Sequence, residues 1–182
     1  MPIEFLVKHC APTLAGLKVG NLFNCRFEDA NEFKKTVAKR SVFLNQKGIY
    51  ITILRLGKNS ALIYVYRKSQ LEKILNSNEV KEFLMKLGYS DFSITRCLSK
   101  LKNHLKTEDF PHEIGIFLGY PLHDVKGFIK HKGANCTCCG HWKSYSDEKI
   151  AKKTFAKYDK CTAVYCKKIA QGFDINRLVV AV

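Results

Sequence analysis

The spacing of apolar residues changes from a helical to a strand period within the first half of the chain. Apolar residues recur at helical spacing in residues 11–23 and again in residues 28–46, and we predict a helix for each segment. Residues 49–56 and 61–66 are instead rich in β-branched and aromatic side chains, and residues 57–60 between them have turn chemistry. This pattern predicts a β-hairpin. Because both strands are apolar on both faces, we expect helices to cover the sheet.

Helical spacing returns in the second half of the chain. We predict helices over residues 69–75 and 80–87, and a long final helix that begins after a cap at Ser146. Residues 178–182 are apolar and are expected to form an edge strand or a packing tail. A further amphipathic helix is predicted from an apolar stripe at Ile94, Cys97, Leu98, Leu101 and Leu105.

These elements predict an α+β fold, with a small antiparallel sheet around a central β-hairpin that is packed by several helices. The pattern contains no internal repeat and no Pro/Gly-rich linker, which favours a single domain over residues 1–182. The cysteine-rich segment 131–166 is the part that we would separate as a C-terminal lobe.

Composition narrows the class of protein. The 182 residues are 46% hydrophobic and 26% charged, which is typical of globular proteins and not of disordered ones. No apolar run approaches the roughly 20 residues that a membrane helix needs, and the N-terminus lacks the pattern of a signal peptide. We therefore expect a cytoplasmic protein that does not bind membranes, whose eight cysteines are reduced thiols or metal ligands.

The chain is strongly basic, with a formal net charge of +15. Such a charge is expected of proteins that bind nucleic acid or another polyanion. It is equally typical of a solvated surface, because lysines dominate the basic residues and arginine is the preferred residue for phosphate and base contacts. The arginines are Arg26, Arg40, Arg55, Arg67, Arg96 and Arg177.

Three motifs carry a family resemblance. The first motif consists of residues 9–18 with 21–23, near the start of the chain. The second consists of residues 110–122 with Asp124 and Val125. The third is a closing segment that contains Gly140, Trp142, Lys143, Tyr145, Tyr158 and Cys161. Together they resemble the bacterial family called domain of unknown function 3793, over nearly the whole chain. The resemblance implies a small bacterial cytosolic protein and carries no established activity. Polar and aromatic side chains of these motifs form our candidate ligand pocket: His9, Thr13, Lys18, Asn21, Trp142 and Tyr145.

The largest group of potential metal-ligating side chains in the sequence is a cluster of cysteines. Cys136 and Cys139 form a C-x-x-C pair, and Cys161 and Cys166 form a wider one. Two such pairs are typical of zinc or iron sites, with His131, His141 and Cys138 as alternate ligands. A C-x-x-C turn also serves thiol–disulfide exchange, and the same residues are consistent with reduced thiols that hold no ligand.

A second candidate site combines Cys10 with His112 and Glu113. If the chain is an enzyme, Cys10 is the expected nucleophile, His112 the base and Glu113 the group that orients the base. The same Pro-His-Glu run is typical of the first turn of a helix, where proline and an acidic residue are favoured. There is no H-E-x-x-H motif and no phosphate-binding glycine loop.

Residues 111–132 also match the apolar spacing of a helix–turn–helix motif. The second helix, roughly residues 122–132, offers His123, Lys126, Lys130 and His131 to a DNA groove. Gly127 weakens such a helix, and the residue types that read bases best are missing from it. Two helices joined by a short turn are also common in protein cores.

Three classes of function therefore stay open. The first is an uncharacterised cytosolic protein that binds an unknown small molecule, or handles metal or thiols through its Cys and His residues. The second is a nucleic-acid-binding module over residues 111–132, and the third is a non-catalytic interaction protein.

Overall fold

A three-stranded antiparallel sheet separates two layers of helices in the computed structural model, which describes residues 2–107 and 110–181. The strands of this sheet are β1 (Gly20–Arg26), β2 (Ile49–Leu56) and β3 (Ser60–Arg67), and a small second ribbon pairs β4 (Cys138–Cys139) with β5 (Lys143–Ser144). The longer helices are α1 (Ile3–Leu14), α2 (Ala30–Gln46), α5 (Ile94–His104), α7 (Leu122–His131) and α8 (Glu148–Ala170). The shorter ones are α3 (Lys68–Leu75), α4 (Asn78–Met85), α6 (Ile114–Phe117) and α9 (Ile175–Leu178).

Strand β3 is the centre of the sheet, with β1 on one side and β2 on the other. Successive side chains of a strand point to opposite faces, and those of β3 are apolar in both directions. Leu62, Tyr64 and Tyr66 pack among α3 to α7, while Ala61, Ile63 and Val65 pack toward α1 and α2. The sheet is thus buried on both faces, as its doubly apolar strands predict.

Helix α1 lies at the centre of the second layer. It contacts β1 and β3 on one side and α8 on the other, and its buried residues are Leu6, Val7 and the run from Cys10 to Leu14. Helix α2 covers β2 through Phe33, Val37 and Leu44. Within the described residues, no helix is long and apolar enough to cross a membrane.

Much of the predicted architecture is confirmed. The α+β class and the hairpin of β2 and β3 are present, and α2 begins after Asp29, whose carboxylate accepts a hydrogen bond from the Glu32 amide at 2.7 Å. Gly48 ends that helix with a positive φ of 73°. The predicted apolar stripe of α5 is buried from Cys97 onward, and Ile94 is partly buried.

The helix predicted over residues 11–23 is wrong. Helix α1 ends at Leu14, and β1 begins at Gly20 and pairs with β3. Gly16 has a φ of +78°, a conformation that glycine adopts without strain and that ends helices. The leucines that suggested one helix therefore divide between a helix end, a loop and a strand.

One detail at the C-terminal end differs from expectation. The cap of α8 is Asp147, one residue after the predicted Ser146, and its carboxylate accepts from the amides of Lys149 and Ile150. Of the two alternatives predicted for the apolar C-terminal segment, the structure shows the packing tail, in which Val179 is buried and the Val180 amide donates to the Leu14 carbonyl at 3.1 Å.

Candidate functional site

Residues 15–19, the loop between α1 and β1, are fixed by contacts with three other elements. The Leu17 and Lys18 amides both donate to the Pro12 carbonyl, at 2.8 and 3.1 Å. The Tyr158 hydroxyl of α8 donates to the Leu17 carbonyl, and the Arg67 amide of β3 donates to the Val19 carbonyl. The loop therefore presents its side chains from a rigid backbone.

Arg67 holds the end of α1 next to this loop. The residue is 1% exposed, and its guanidinium donates to the carbonyls of Thr13, Leu14 and Val180 at 2.6, 2.7 and 2.8 Å. Carbonyls at a helix C-terminus have no partner inside the helix and carry partial negative charge, which a cation satisfies. One arginine therefore joins α1, β3 and the C-terminal tail at the base of the loop.

Lys18 is the most unusual side chain of the loop. It is 6% exposed, and its Nζ lies over the rings of Tyr120 and Tyr158, at 5.3 and 5.8 Å from their centroids. Within residues 2–107 and 110–181 its Nζ has neither an ion pair nor a hydrogen bond. Burial lowers the pKa of Lys18 to about 8, and the neighbouring Cys10 opposes this effect to a smaller extent.

Lys18 lines a cleft of about 610 Å³ between α1, β1 and α8. We call it the Lys18 cleft, and its polar lining residues are Lys8, His9, Lys18, Asn21, His141, Asp159 and Thr162. Asn21 accepts from the Thr13 hydroxyl at 2.7 Å, and His141 pairs with Asp159 at 2.8 Å. The cleft is thus predominantly cationic, and its carboxylate is already engaged.

His9 stands at the edge of the Lys18 cleft on an aromatic platform. Its ring stacks on Phe23 at 5.0 Å and contacts Phe5 at 4.4 Å. Burial and the nearby Lys8 lower the pKa of His9, so its imidazole is mainly neutral at pH 7. It is therefore positioned as a neutral hydrogen-bonding group rather than as a second buried cation.

A second, apolar cleft of about 310 Å³ adjoins the first. We call it the Trp142 cleft, and its lining includes His112, Phe128 and Trp142. Both clefts share Leu22, Leu118 and Tyr120 as a common wall. A ligand with a charged end and an apolar body could therefore contact both.

Asp124 fixes the wall of the Trp142 cleft. It is 2% exposed and accepts hydrogen bonds from the Trp142 indole and the Tyr145 amide, both at 2.7 Å, and from the Ser144 hydroxyl. Gly127, one turn further along α7, lets the Tyr145 ring approach, since a Cβ there would lie 2.6 Å from it. The ribbon of β4 and β5 is thereby attached to α7.

The structure brings some, but not all, of the predicted ligand-pocket residues together. His9, Lys18 and Asn21 line the Lys18 cleft, Thr13 supports Asn21, and Trp142 lines the neighbouring cleft. Tyr145 lines neither cleft, and its ring stacks on His131 at 5.6 Å. Tyr120 and Tyr158, the two rings that enclose Lys18, lie in the family motifs but were not included in the predicted pocket.

The structure does not bring the Cys10 and His112 pair together. Cys10 lies on the buried side of α1, where it is 0% exposed among apolar residues. Burial raises the pKa of its thiol far above the usual range. His112 lies beyond the opposite face of the sheet, with its ring against Phe128. A sealed thiol that resists ionisation is poorly suited to act as the nucleophile.

Glu113 has a different partner from the one expected. Its carboxylate lies 2.6 Å from His104 Nδ1 and accepts from the Tyr89 hydroxyl at 3.2 Å. It therefore orients His104 and not His112. Sequence reasoning missed His104 because it lies in the last turn of α5, on a helix whose apolar stripe explained its pattern.

The four proposed metal ligands Cys136, Cys139, Cys161 and Cys166 are not assembled into one site. Cys139 lies in the ribbon, whereas Cys161 and Cys166 lie on α8 and pack against the apolar layer around α1. Of the alternates, Cys138 also lies in the ribbon, while His131 stacks on Tyr145 and His141 pairs with Asp159. Throughout residues 2–107 and 110–181, no three His, Cys, Asp or Glu side chains are placed to hold a metal ion.

The helix pair predicted over residues 111–132 is present only in part. Helix α7 matches the predicted second helix, but α6 is a single turn of four residues. His123, Lys126 and Lys130 of α7 are exposed, while Asp124 and Gly127 attach the helix to the ribbon. DNA binding through this segment stays a prediction.

These observations define an α+β protein with two adjoining clefts beside a central sheet. The model of the family described as Protein of unknown function (DUF3793) matches residues 6–179, and the chain belongs to that family. The family resemblance found in the sequence is thereby confirmed. Neither the curated proteins nor the solved structures gave a match.

Proposed function

We propose that the chain binds a small anionic molecule whose charged group pairs with Lys18. The observation that supports this is Lys18 itself, a lysine that is only 6% exposed and whose ammonium has no carboxylate partner in the described part of the chain. Burying an unpaired charge destabilises a fold, so such a group is uncommon unless a ligand neutralises it.

The residues around Lys18 favour a negatively charged ligand. Lys8 lies at the same cleft, and the carboxylate of the cleft, Asp159, is paired with His141. An anion entering the cleft meets a positive potential, and an enclosed cleft strengthens that attraction. The two tyrosine rings beside Lys18 keep the ammonium partly desolvated, which further favours a charged partner.

The adjoining Trp142 cleft adds a preference for an apolar body. Leu22, Leu118 and Tyr120 form the wall between the clefts, and Tyr120 stacks on Trp142 at 5.1 Å. Aromatic and aliphatic side chains with a few fixed polar groups are typical of small-molecule sites. A flat carboxylic acid fits this arrangement better than a bare inorganic ion.

Calorimetric titration with 1-naphthoate, benzoate and inorganic phosphate tests the proposal. We expect 1-naphthoate to bind most tightly and its affinity to fall as the pH rises above about 8, where Lys18 loses its charge. Lys18→Met should weaken binding of 1-naphthoate at least tenfold. The matched control is Lys34→Met, an exposed lysine on α2.

Equal affinity of the Lys18→Met variant and the parent protein for 1-naphthoate would rule out the proposal. Equal loss in both lysine variants would also contradict it, because binding would then depend on the overall charge and not on the cleft.

A further inference from the structure

We infer that Lys18 is a nucleophilic amine that forms a reversible imine with the carbonyl group of a small oxo acid bound in the Lys18 cleft. This inference rests on the proposed function and names the substrate class of the same site. It adds covalent chemistry at Nζ to the binding of an anion.

The geometry around Lys18 meets the requirements of such an amine. An amine that attacks a carbonyl must be free of ion pairs, held in place and reachable from the cleft. In the described residues, the unpaired polar side-chain atoms sealed from solvent are Arg67 Nη1 and Tyr145 Oη. Lys18 Nζ, which is unpaired but not sealed, therefore contacts the cleft.

The amine also has to lose its proton near neutral pH. The pKa of Lys18 is lowered to about 8 because burial disfavours the ammonium ion. At pH 7 roughly one tenth of the Lys18 side chains are therefore neutral, a fraction a few hundredfold larger than for an exposed lysine whose pKa is about 10.4.

The step is a condensation with no change of oxidation state. The Nζ lone pair forms a bond to the carbonyl carbon, and the carbonyl oxygen takes up a proton to give a carbinolamine. Loss of that hydroxyl with a further proton releases water and leaves the C=N bond. Two hydrogens of the amine thus depart with the carbonyl oxygen, and no oxidant or reductant is needed.

Other residues of the cleft can assist this sequence. His141, held by Asp159 at 2.8 Å and in edge contact with the Tyr158 ring at 5.3 Å, lies in the same cleft and can carry the protons. Lys8 and the side-chain amide of Asn21 line the cleft and can bind the carboxylate once Lys18 is neutral. The site then fits a compound that carries an aldehyde or ketone next to a carboxylate.

Reductive trapping tests the inference. The folded full chain is incubated with glyoxylate and sodium cyanoborohydride at pH 7, and the resulting carboxymethyl groups are located by peptide mass spectrometry. We expect one adduct per chain at Lys18 before any exposed lysine reacts appreciably. The rate at Lys18 should rise with pH and level off near pH 8, whereas the rate at Lys34 should keep rising.

Two variants separate this inference from the proposed function. Lys18→Arg keeps the charge and should retain 1-naphthoate binding within about tenfold, while it loses the adduct. Lys18→Met should lose both. Adducts spread over exposed lysines, together with Lys18-dependent 1-naphthoate binding, would overturn the imine and leave anion binding intact. Absence of both Lys18-dependent binding and the Lys18 adduct would overturn both proposals.

Discussion

Individual buried polar residues of this chain differ in whether they have a partner. Arg67 donates to three carbonyls, Asp124 accepts from the ribbon, and Glu113 accepts from Tyr89 and pairs with His104. Each of these groups is explained by the fold it supports. Lys18 has no comparable partner among the described residues, and the proposed ligand would supply the partner that the fold does not.

The burial of Lys18 predicts a gain of stability when its charge is removed. The folded chain releases the Lys18 proton near pH 8, whereas the unfolded chain holds it up to about pH 10.5. Below pH 8 the full free-energy cost of burying the charged Lys18 ammonium is present. Between pH 8 and about pH 10.5 the free energy of unfolding rises with pH, because the unfolded state binds more protons than the folded state. Lys18→Met should raise the free energy of unfolding at pH 7 by roughly 1–3 kcal/mol.

Urea denaturation at several pH values measures this effect. The difference between Lys18→Met and the parent protein should shrink as the pH rises from 8 toward 10. Lys34→Met, on the exposed surface of α2, should change stability by less than about 0.5 kcal/mol at each pH. A variant less stable than the parent at pH 7 would show that Lys18 supports the fold.

At the scale of elements, the helices and strands that could be predicted are those determined by residues close together in the sequence. The hairpin of β2 and β3 was predictable because its two strands and its turn are adjacent in sequence. The same holds for α2 and for the buried stripe of α5. Strand β1 was not predictable, because its pairing with β3 joins segments about forty residues apart, and it lacks β-branched residues.

Attachment of the ribbon to α7 depends on the Asp124 carboxylate. Asp124→Asn replaces one acceptor oxygen with an N–H₂ group that faces donors, which should destabilise the protein by about 2–3 kcal/mol. Trp142 is the only tryptophan of the chain, so its fluorescence should shift to longer wavelength as the indole loses its partner. The control is Glu82→Gln, at an exposed carboxylate on α4, and unchanged fluorescence in Asp124→Asn would argue against this role.

The end of α1 depends on Arg67 in a comparable way. Arg67→Met preserves the apolar stem but leaves the carbonyls of Thr13, Leu14 and Val180 without their donors. We expect a loss of about 3 kcal/mol or more in thermal or urea denaturation, because unsatisfied buried acceptors are costly. Arg55→Met, an exposed arginine on β2, should be nearly neutral. Equal stability of both variants would contradict the role of Arg67.

For the whole molecule, the site was harder to predict than the fold. Lys18, Tyr120 and Tyr158 come from a loop, from the start of the α7 segment and from α8, and only the tertiary structure brings them together. The prediction included Lys18, His9 and Asn21 because the opening motif carries them as polar residues. The prediction also placed Cys10 and His112 in one catalytic site. This was wrong because the sequence does not reveal whether a reactive residue is buried, or on which side of the sheet it lies.

The distribution of cysteines through the molecule predicts the order of their modification. A brief pulse of N-ethylmaleimide should label Cys139, which is exposed, well before Cys10, Cys25 and Cys97, which are buried. Burial also raises the pKa of Cys97 to about 11, which lowers its thiolate fraction further. The three buried thiols should react together, at the rate of global unfolding. Early labelling of Cys10 in peptide maps would contradict the burial described above.

Contact between α1 and α8 has a consequence for synthesis of the chain on the ribosome. Helix α1 is made first, but the surface that α8 covers stays open until residues 148–170 have been added. At roughly 5–20 residues per second, this delay is on the order of ten seconds. During that time apolar side chains of the nascent helix are accessible to chaperones. Premature termination before α8 should therefore yield an aggregation-prone fragment, although the sheet and α2 are complete.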